Sequence, residues 1–564
     1  MLKVREGRKT TIFVVAIRGV ALSLLIFAST SDGFARSHHP HHTPKRTANT
    51  RPKLAAHIES IINAPAISRA HWGISVTDEQ GNSIYALNDG QFFAPASNAK
   101  LFTTAAAFAL LGPNFVSKTY VTRQGSVDAE GRLAGSLRLI GTGDPSISGR
   151  TYPYDGKTER PDPPLHVLDE LANTVASTGI RQIDGAIIGD ESFFPAEPYG
   201  PGWGWDDLQW GYGAPVSALT INDNVLYLNV LPGARPGDPA TVTWNPALPT
   251  RDTSSIDQRG DSHSTSYAFY QLSNTAVTAG VGTPSQIGLD RTPGSDDVRL
   301  YGSIPLDSNG AHLALAIEHP ASFAANSFEA ILSARGVKVT GLARLEQAQS
   351  LDTMPFEDRI REPIHLHPLI GSSLPCPLQA GETIIAAHTS PPLTVEATVI
   401  NKVSQNLHAE LLLRQLAKSQ TGEGSFVEGA RVVRQFLIDS GIPADDFILY
   451  DGSGLSSEDQ VTPRAVTTLL TFAARQAWGA AWRATLPVGG MDGTLSVRFL
   501  QSPLKGKIFA KTGTLAEVHT LSGYMIAASG KTLNFSILCN GRRPSSDAER
   551  KAIDKIAELI AAAN

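Results

Sequence analysis

The sequence predicts an α/β domain split by a nested, mainly-β insertion. Two observations carry this. Apolar helical periodicity flanks strand-like runs at both ends of the chain, so the two ends share one domain. Between Phe115 and about Pro392 the texture changes to short alternating strands separated by turns, prolines and a few short helices. Within that stretch, 232–297 is more polar and turn-rich still, and reads as an insertion within the insertion. At 564 residues the chain is long enough for roughly two to four domains with their own cores. Hydrophobic content of 41% with 18% charged residues excludes a disordered chain. A net charge of −5, with no basic stripe interleaved by aromatics, gives no reason to expect nucleic acid.

Taken in order, the chain opens with Lys3, Arg5, Arg8 and Lys9, followed by apolar runs at 12–17 and 20–28. Gly33-Phe34-Ala35 then offers small residues where a signal peptidase reads, which predicts a secretory signal peptide over 1–35 and an exported, periplasmic protein. Arg18 leaves each apolar piece short of the roughly 18 residues a membrane span needs. Residues 36–53, with His38, His39, His41 and His42, read as a solvated linker rather than a metal site.

Leu54, His57, Ile58, Ile61 and Ile62 mark an amphipathic first helix, and 72–77 and 83–87 two strands. An apolar helix follows from Leu101 to Leu111. In the insertion, 136–141 and 183–189 read as strands and 164–177 as a helix. Beyond Thr394 helices return at 407–416, 428–440 and 464–476, then strands at 509–511, 521–528 and 533–539. Ser545 or Ser546 caps a last helix with Ala548, Ile553, Ile556, Leu559 and Ile560 on its apolar stripe. The two cysteines, Cys376 and Cys539, make no metal cluster; a single bridge between them is open in an oxidising compartment.

Three short motifs carry chemistry. Ser97 lies at a helix start with Lys100 one turn on, so a hydroxyl and an amine share one face. If the amine is neutral, the hydroxyl becomes a nucleophile. By itself the pattern is equally an ordinary helix cap, and it recurs as Ser502-Pro503-Leu504-Lys505, where Pro503 argues for a loop. Ser404-Gln405-Asn406 precedes a helix and offers a hydroxyl to shuttle a proton and an amide to hold a carbonyl; such a triplet is also a common cap. Lys511-Thr512-Gly513-Thr514 ends a strand, with a cation and hydroxyls suited to a carboxylate.

The order Ser97, Ser404, Lys511 joins the Ser-x-x-Lys, Ser-x-Asn and Lys-Thr-Gly elements of one chemistry. In this the chain resembles the penicillin-binding protein superfamily. The long first interval resembles its class C low-molecular-mass group, the D-alanyl-D-alanine carboxypeptidase/endopeptidase family (peptidase family S13). Gly141-Thr-Gly-Asp-Pro-Ser, Trp203-Gly-Trp-Asp-Asp-Leu, Tyr212-Gly-Ala-Pro-Val-Ser-Ala-Leu, Asp451-Gly-Ser-Gly-Leu-Ser and Pro487-Val-Gly-Gly-Met-Asp-Gly-Thr-Leu look like further blocks of that family.

The resemblance implies a transpeptidase-like (serine β-lactamase/penicillin-binding protein) domain over 54–114 and 393–564. It also implies an inserted domain over 115–231 and 298–392 and a nested one over 232–297. It makes Ser97 the acylated nucleophile, Lys100 its base, Ser404 and Asn406 proton relay and carbonyl holder, and Lys511, Thr512, Gly513 and Thr514 the carboxylate site. The backbone N–H groups of Ser97 and Thr514 would form the oxyanion hole. Peptidoglycan stem peptides are the implied substrates and β-lactams covalent inhibitors, with no metal or organic cofactor.

One place departs from the pattern. Where relatives carry an Arg after Ser-Gly-Leu-Ser, here stands Ser457, followed by Glu458 and Asp459; Asp190 would supply the matching Asp for the stem's amino end. The inserted block is expected to be dispensable in outline for acylation but not for substrate choice, since its polar, turn-rich middle, 232–297, offers no residue of the three motifs. The rival readings are a serine β-lactamase, distinguished by fast deacylation, and a non-catalytic penicillin-binding sensor.

Overall fold

The computed structural model describes residues 51–156, 160, 162–256, 262–350 and 352–564, and no side chains at 51–52 or 250–268. The signal peptide and nearly all of the linker read from the sequence lie outside these residues. The chain is organised on a five-stranded antiparallel sheet ordered Ser83–Leu87, His71–Asp78, Thr532–Asn540, Val518–Ile526, Ile508–Leu515. Trp72 faces Cys539 across the ladder, so strands from the two ends of the chain are direct neighbours. On one face Ile58, Ile74, Ile537, Ile553 and Ile556 bury the sheet under the first and last helices, Arg51–Ile62 and Ala548–Ala563. On the other, Leu538 and Tyr524 meet the helices Ala99–Leu110, Asn406–Thr421 and Pro463–Ala474.

Local chemistry explains why these helices start where they do. Gln405 accepts the Leu407 N–H, Ser425 that of Glu428, Thr462 that of Ala465, and Ser546 that of Ala548, each answering an amide the helix leaves unpaired. Helix Ala99–Leu110 has no such cap; its residues are almost all buried, and packing holds it. Ser502, the second Ser-x-x-Lys match, sits in turns with no helix after it.

The insertion contains a seven-stranded sheet with Lys118–Val127, Arg132–Gly141 and Ile187–Pro195 near its middle. The expected strand over 183–189 is broken into Gln182–Ile183 and Ile187–Pro195, because Gly185 lies against the Gly135 backbone, where a side chain would collide. The nested piece does not stop at 297. Strand Asp297–Pro305 is the spine of its sheet, pairing with Gln271–Asn274, Val277–Ala279 and Gln286–Arg291. Nor does it hold a core of its own: Leu289, Val298 and Leu300 pack with Val121, Leu137 and Leu139 of the larger sheet. Both cysteines are free, Cys539 inside the central sheet and Cys376 in the insertion.

Candidate active site

Ser97 sits in a single 3-10 turn, Ala96–Asn98, that feeds helix Ala99–Leu110. Ala96 is buried at φ +48°, a conformation that costs an L-residue about 1 kcal/mol or more. Two glycines make room for this turn. A Cβ on Gly454 would lie 1.9 Å from the Ala96 carbonyl oxygen, and one on Gly513 2.2 Å from Thr520 Oγ1. Ser97 is therefore clamped between the Asp451–Ser456 loop and the edge strand Ile508–Leu515.

Lys100, fully buried one turn along, donates from Nζ to Ser97 Oγ at 3.0 Å, Asn406 Oδ1 at 2.7 Å and the Ser453 carbonyl at 2.6 Å. Burial pushes its amine down to about 8, against the opposing pull of Asp451, Glu410 and Asp459. Lys511, also fully buried, donates to Ser404 Oγ at 2.8 Å and to the Thr512 carbonyl at 2.9 Å. Burial, and then the neighbouring Lys100, hold its amine well below the ordinary lysine range. Burial is the leading cause for both amines, and two cations this close disfavour each other. Ser404 stands at φ +67° just before helix Asn406–Thr421, and Gln405, not Ser404, is that helix's cap. Thr512 Oγ1 donates to Thr494 Oγ1 at 2.8 Å, and Thr514 Oγ1 lies 3.3 Å from His519 Nδ1. Burial, then Arg542, Arg498 and Arg550, push His519 down to about 4, so it stays neutral at working pH.

The structure thus joins Ser97, Lys100 and Asn406 in one hydrogen-bonded set and Ser404 with Lys511 in a second, with Thr512, Gly513 and Thr514 on the edge strand that carries Lys511. It does not bring Asp190 there. That residue is fully buried in strand Ile187–Pro195, with Oδ2 2.9 Å from Arg138 Nη1 and Oδ1 accepting the Ser192 N–H. Its carboxylate neutralises a guanidinium inside the insertion and faces no cleft. Ser457 is exposed and its hydroxyl donates to the Gly202 carbonyl. Of its two acidic followers only Glu458 faces solvent; Asp459 is buried, its carboxyl raised well above the usual range by burial and by Asp451.

Sequence reasoning missed the insertion's own contribution. Asn406 Nδ2 donates to the Tyr212 carbonyl at 2.8 Å, so both ends of that amide are fixed, one of them from the inserted domain. Asp451 accepts the N–H groups of Ser453, Gly454 and Ser456 together with Trp203 Nε1, tying the loop whose Ser453 carbonyl receives Lys100 to the insertion. The insertion therefore reaches the candidate site through Trp203 and Tyr212, both outside the 232–297 segment. Trp203, Tyr212 and Asp451 each open one of the sequence blocks quoted above, which was the available signal. Backbone acceptors such as the Tyr212 carbonyl leave no trace in residue identity.

The chain is 30% identical over 521 residues to a D-alanyl-D-alanine carboxypeptidase of an Actinomadura species, covering 90% of this chain and 84% of the relative. It is 26% identical over 466 residues to the D-alanyl-D-alanine carboxypeptidase DacB of Haemophilus influenzae, covering 82% and 83%. Among solved structures, penicillin binding protein 4 (dacB) of Haemophilus influenzae matches with a TM-score of 0.70 at 23% identity, over 89% of this chain and 98% of that one. Its complex with a β-lactam matches with a TM-score of 0.66. The transpeptidase-like fold with its inserted domain is thus a known architecture. The family model of the D-Ala-D-Ala carboxypeptidase 3 (S13) family matches residues 54–354 and 374–563, and the chain belongs to that family.

Proposed function

We propose that the protein is an exported serine DD-peptidase that removes the terminal D-alanine of peptidoglycan stem peptides and opens their D-amino-acid crosslinks. The observation that carries this reading is the buried amine of Lys100, held down at about 8, 3.0 Å from Ser97 Oγ. A neutral Lys100 takes the Ser97 proton as Oγ attacks the carbonyl carbon before the last D-alanine. Negative charge then collects on the carbonyl oxygen, toward the N–H groups of Ser97 and Thr514. The C–N bond breaks, the leaving amine takes a proton relayed by Ser404, and the stem remains as an ester on Ser97. Water hydrolyses the ester and frees the enzyme. One N–H of Asn406 is committed to Tyr212, which leaves the other for the acyl carbonyl. Lys511, Thr512 and Thr514 receive the terminal carboxylate, whose charge restores Lys511 as an ammonium. Peptidoglycan places the enzyme in the cell envelope; among the described residues no helix is long and apolar enough to cross a membrane.

The test is mass spectrometry of digested peptidoglycan after incubation with the purified protein. Loss of terminal D-alanine and conversion of crosslinked dimers to monomers are expected. Unchanged substrate, with penicillin still attached to Ser97, would instead identify a sensor. Fast turnover of the penicilloyl ester would identify a β-lactamase. The acids nearest Lys100 weigh against that outcome: Glu410 accepts the Gly452 N–H, and burial with Asp451 beside it raises its carboxyl, so it is no free base for water.

Burial of Asp190 fixes a further expectation. Asp190→Ala removes one of the carboxylates around Arg138, which keeps Glu382 at 2.7 Å, and is expected to destabilise the protein by about 1–3 kcal/mol, read as a lowered unfolding midpoint. In the folded fraction, the kcat/KM ratio for peptides with and without a free amino end stays at the wild-type value. A changed ratio would show that Asp190 reaches substrate after all.

A further inference from the structure

The inserted domain carries an unusual piece of backbone. Asn222, Asp223 and Asn224 stand in succession at φ +49°, +55° and +54°, all fully buried. L-residues enter this region as single residues, and three together need an outside constraint. Here the two asparagine side chains fasten the turn: Asn222 Nδ2 donates to the Val225 carbonyl and Asn224 Nδ2 to the Pro215 carbonyl, both at 2.8 Å. The result is that Asp223 stands where the insertion meets the catalytic domain, within reach of Gln405 and His408.

Its carboxylate is saturated. Oδ2 accepts from Arg150 Nε and Nη2 at 2.8 and 2.6 Å and from Gln405 Nε2 at 2.9 Å, and lies 2.7 Å from Arg160 Nη2. Oδ1 meets His408 Nε2 at 3.2 Å. Burial alone would raise this carboxyl, yet Arg150, Arg160 and His408 hold it well below the usual range. Gln405 is the residue between the two functional side chains of the Ser-x-Asn motif. Its Oε1 accepts the Leu407 N–H while its Nε2 reaches Asp223, so the side chain is fixed at both ends. Immediately before it Ser404 holds φ +67°.

We infer that Asp223 is a positioning residue for acylation: through Gln405 it holds the strained turn that aims Ser404 at Lys511 and Asn406 at Lys100. The inference rests on the acyl-enzyme reading above. It separates Asp223 from an ordinary interdomain tie such as Arg414–Glu197, which grips the same helix two turns further on and away from the motif.

The experiment moves the carboxylate. Gln405→Glu keeps an acceptor for Leu407 but sets a carboxylate against Asp223, and Asp223→Ala removes the acceptor that Gln405 needs. Each is expected to slow acylation of Ser97 by a fluorescent penicillin about 10- to 100-fold, with the non-covalent dissociation constant little changed. In the double variant, Asp223→Ala with Gln405→Glu, the carboxylate now on the motif side faces Arg150, Arg160 and His408 across the space that Asp223 leaves. The charge stays in the network, and the rate recovers to within about fivefold of wild type. Gln405→Met, which removes the donor without adding charge, is the safeguard should Asp223→Ala not fold, and is expected to be as slow as Gln405→Glu. A double variant no faster than the slower single variant, or Gln405→Met at the wild-type rate, would overturn the role of Asp223. Failure of the wild type itself to form a penicilloyl ester would overturn the underlying reading with it.

Discussion

Ser97→Ala is expected to carry no penicilloyl group after exposure to benzylpenicillin and to lose DD-peptidase activity on the order of 10⁵-fold, the scale on which removing a catalytic nucleophile acts. The clamped turn makes the expectation sharp. Ala96, Gly454 and Gly513 hold position 97 whatever its side chain, so the variant keeps its fold and its thermal midpoint while losing the reacting oxygen. Tryptic mass spectrometry of the peptide containing residue 97, in wild type and variant, is the measurement. A label persisting elsewhere in Ser97→Ala would move the nucleophile to another residue. Ser502, the other serine in the same four-residue pattern, would be examined first.

The second large effect belongs to Lys100. Replacing it with methionine removes the base and is expected to slow acylation about 10²- to 10⁴-fold, the usual worth of a general base. The direction of the pH effect follows from the amine being held at about 8. Only the neutral form accepts the Ser97 proton. Below that value the neutral fraction falls tenfold per pH unit, so the wild-type rate rises with pH and levels off above about 8. In Lys100→Met this rise is absent. A rise that survives in the variant would mean that the titrating base is a different group.

How much of this was legible beforehand depended on where the information resides. Ser97, Lys100, Ser404, Asn406 and Lys511 announce themselves because their chemical types and their order along the chain are distinctive. The first and last helices were readable from apolar periodicity, since each buries one face against the sheet. Asp190 misled because an acidic residue in a strand looks the same from sequence whether it faces a cleft or a buried guanidinium. Only the fold puts Arg138 opposite it. The nested segment looked separable because polarity and turns were its visible features, whereas Leu289, Val298 and Leu300 share the larger core. The Tyr212 carbonyl and the left-handed run at 222–224 were out of reach for a simpler reason: both are properties of backbone, which the sequence does not spell.

The pairing of Trp72 with Cys539 also sets an order of assembly. As the chain emerges, the insertion has all its strands by Thr389, whereas His71–Asp78 still lacks its inner neighbour until Asn540 has followed. Contacts so distant along the chain form slowly. Until the last strand and helix arrive, Ile74 and Val76 have nothing to bury them, and Lys511, on the neighbouring edge strand, has no sheet to hold it beside Ser404. The candidate site is therefore complete only when the last strand and helix of the chain are in place.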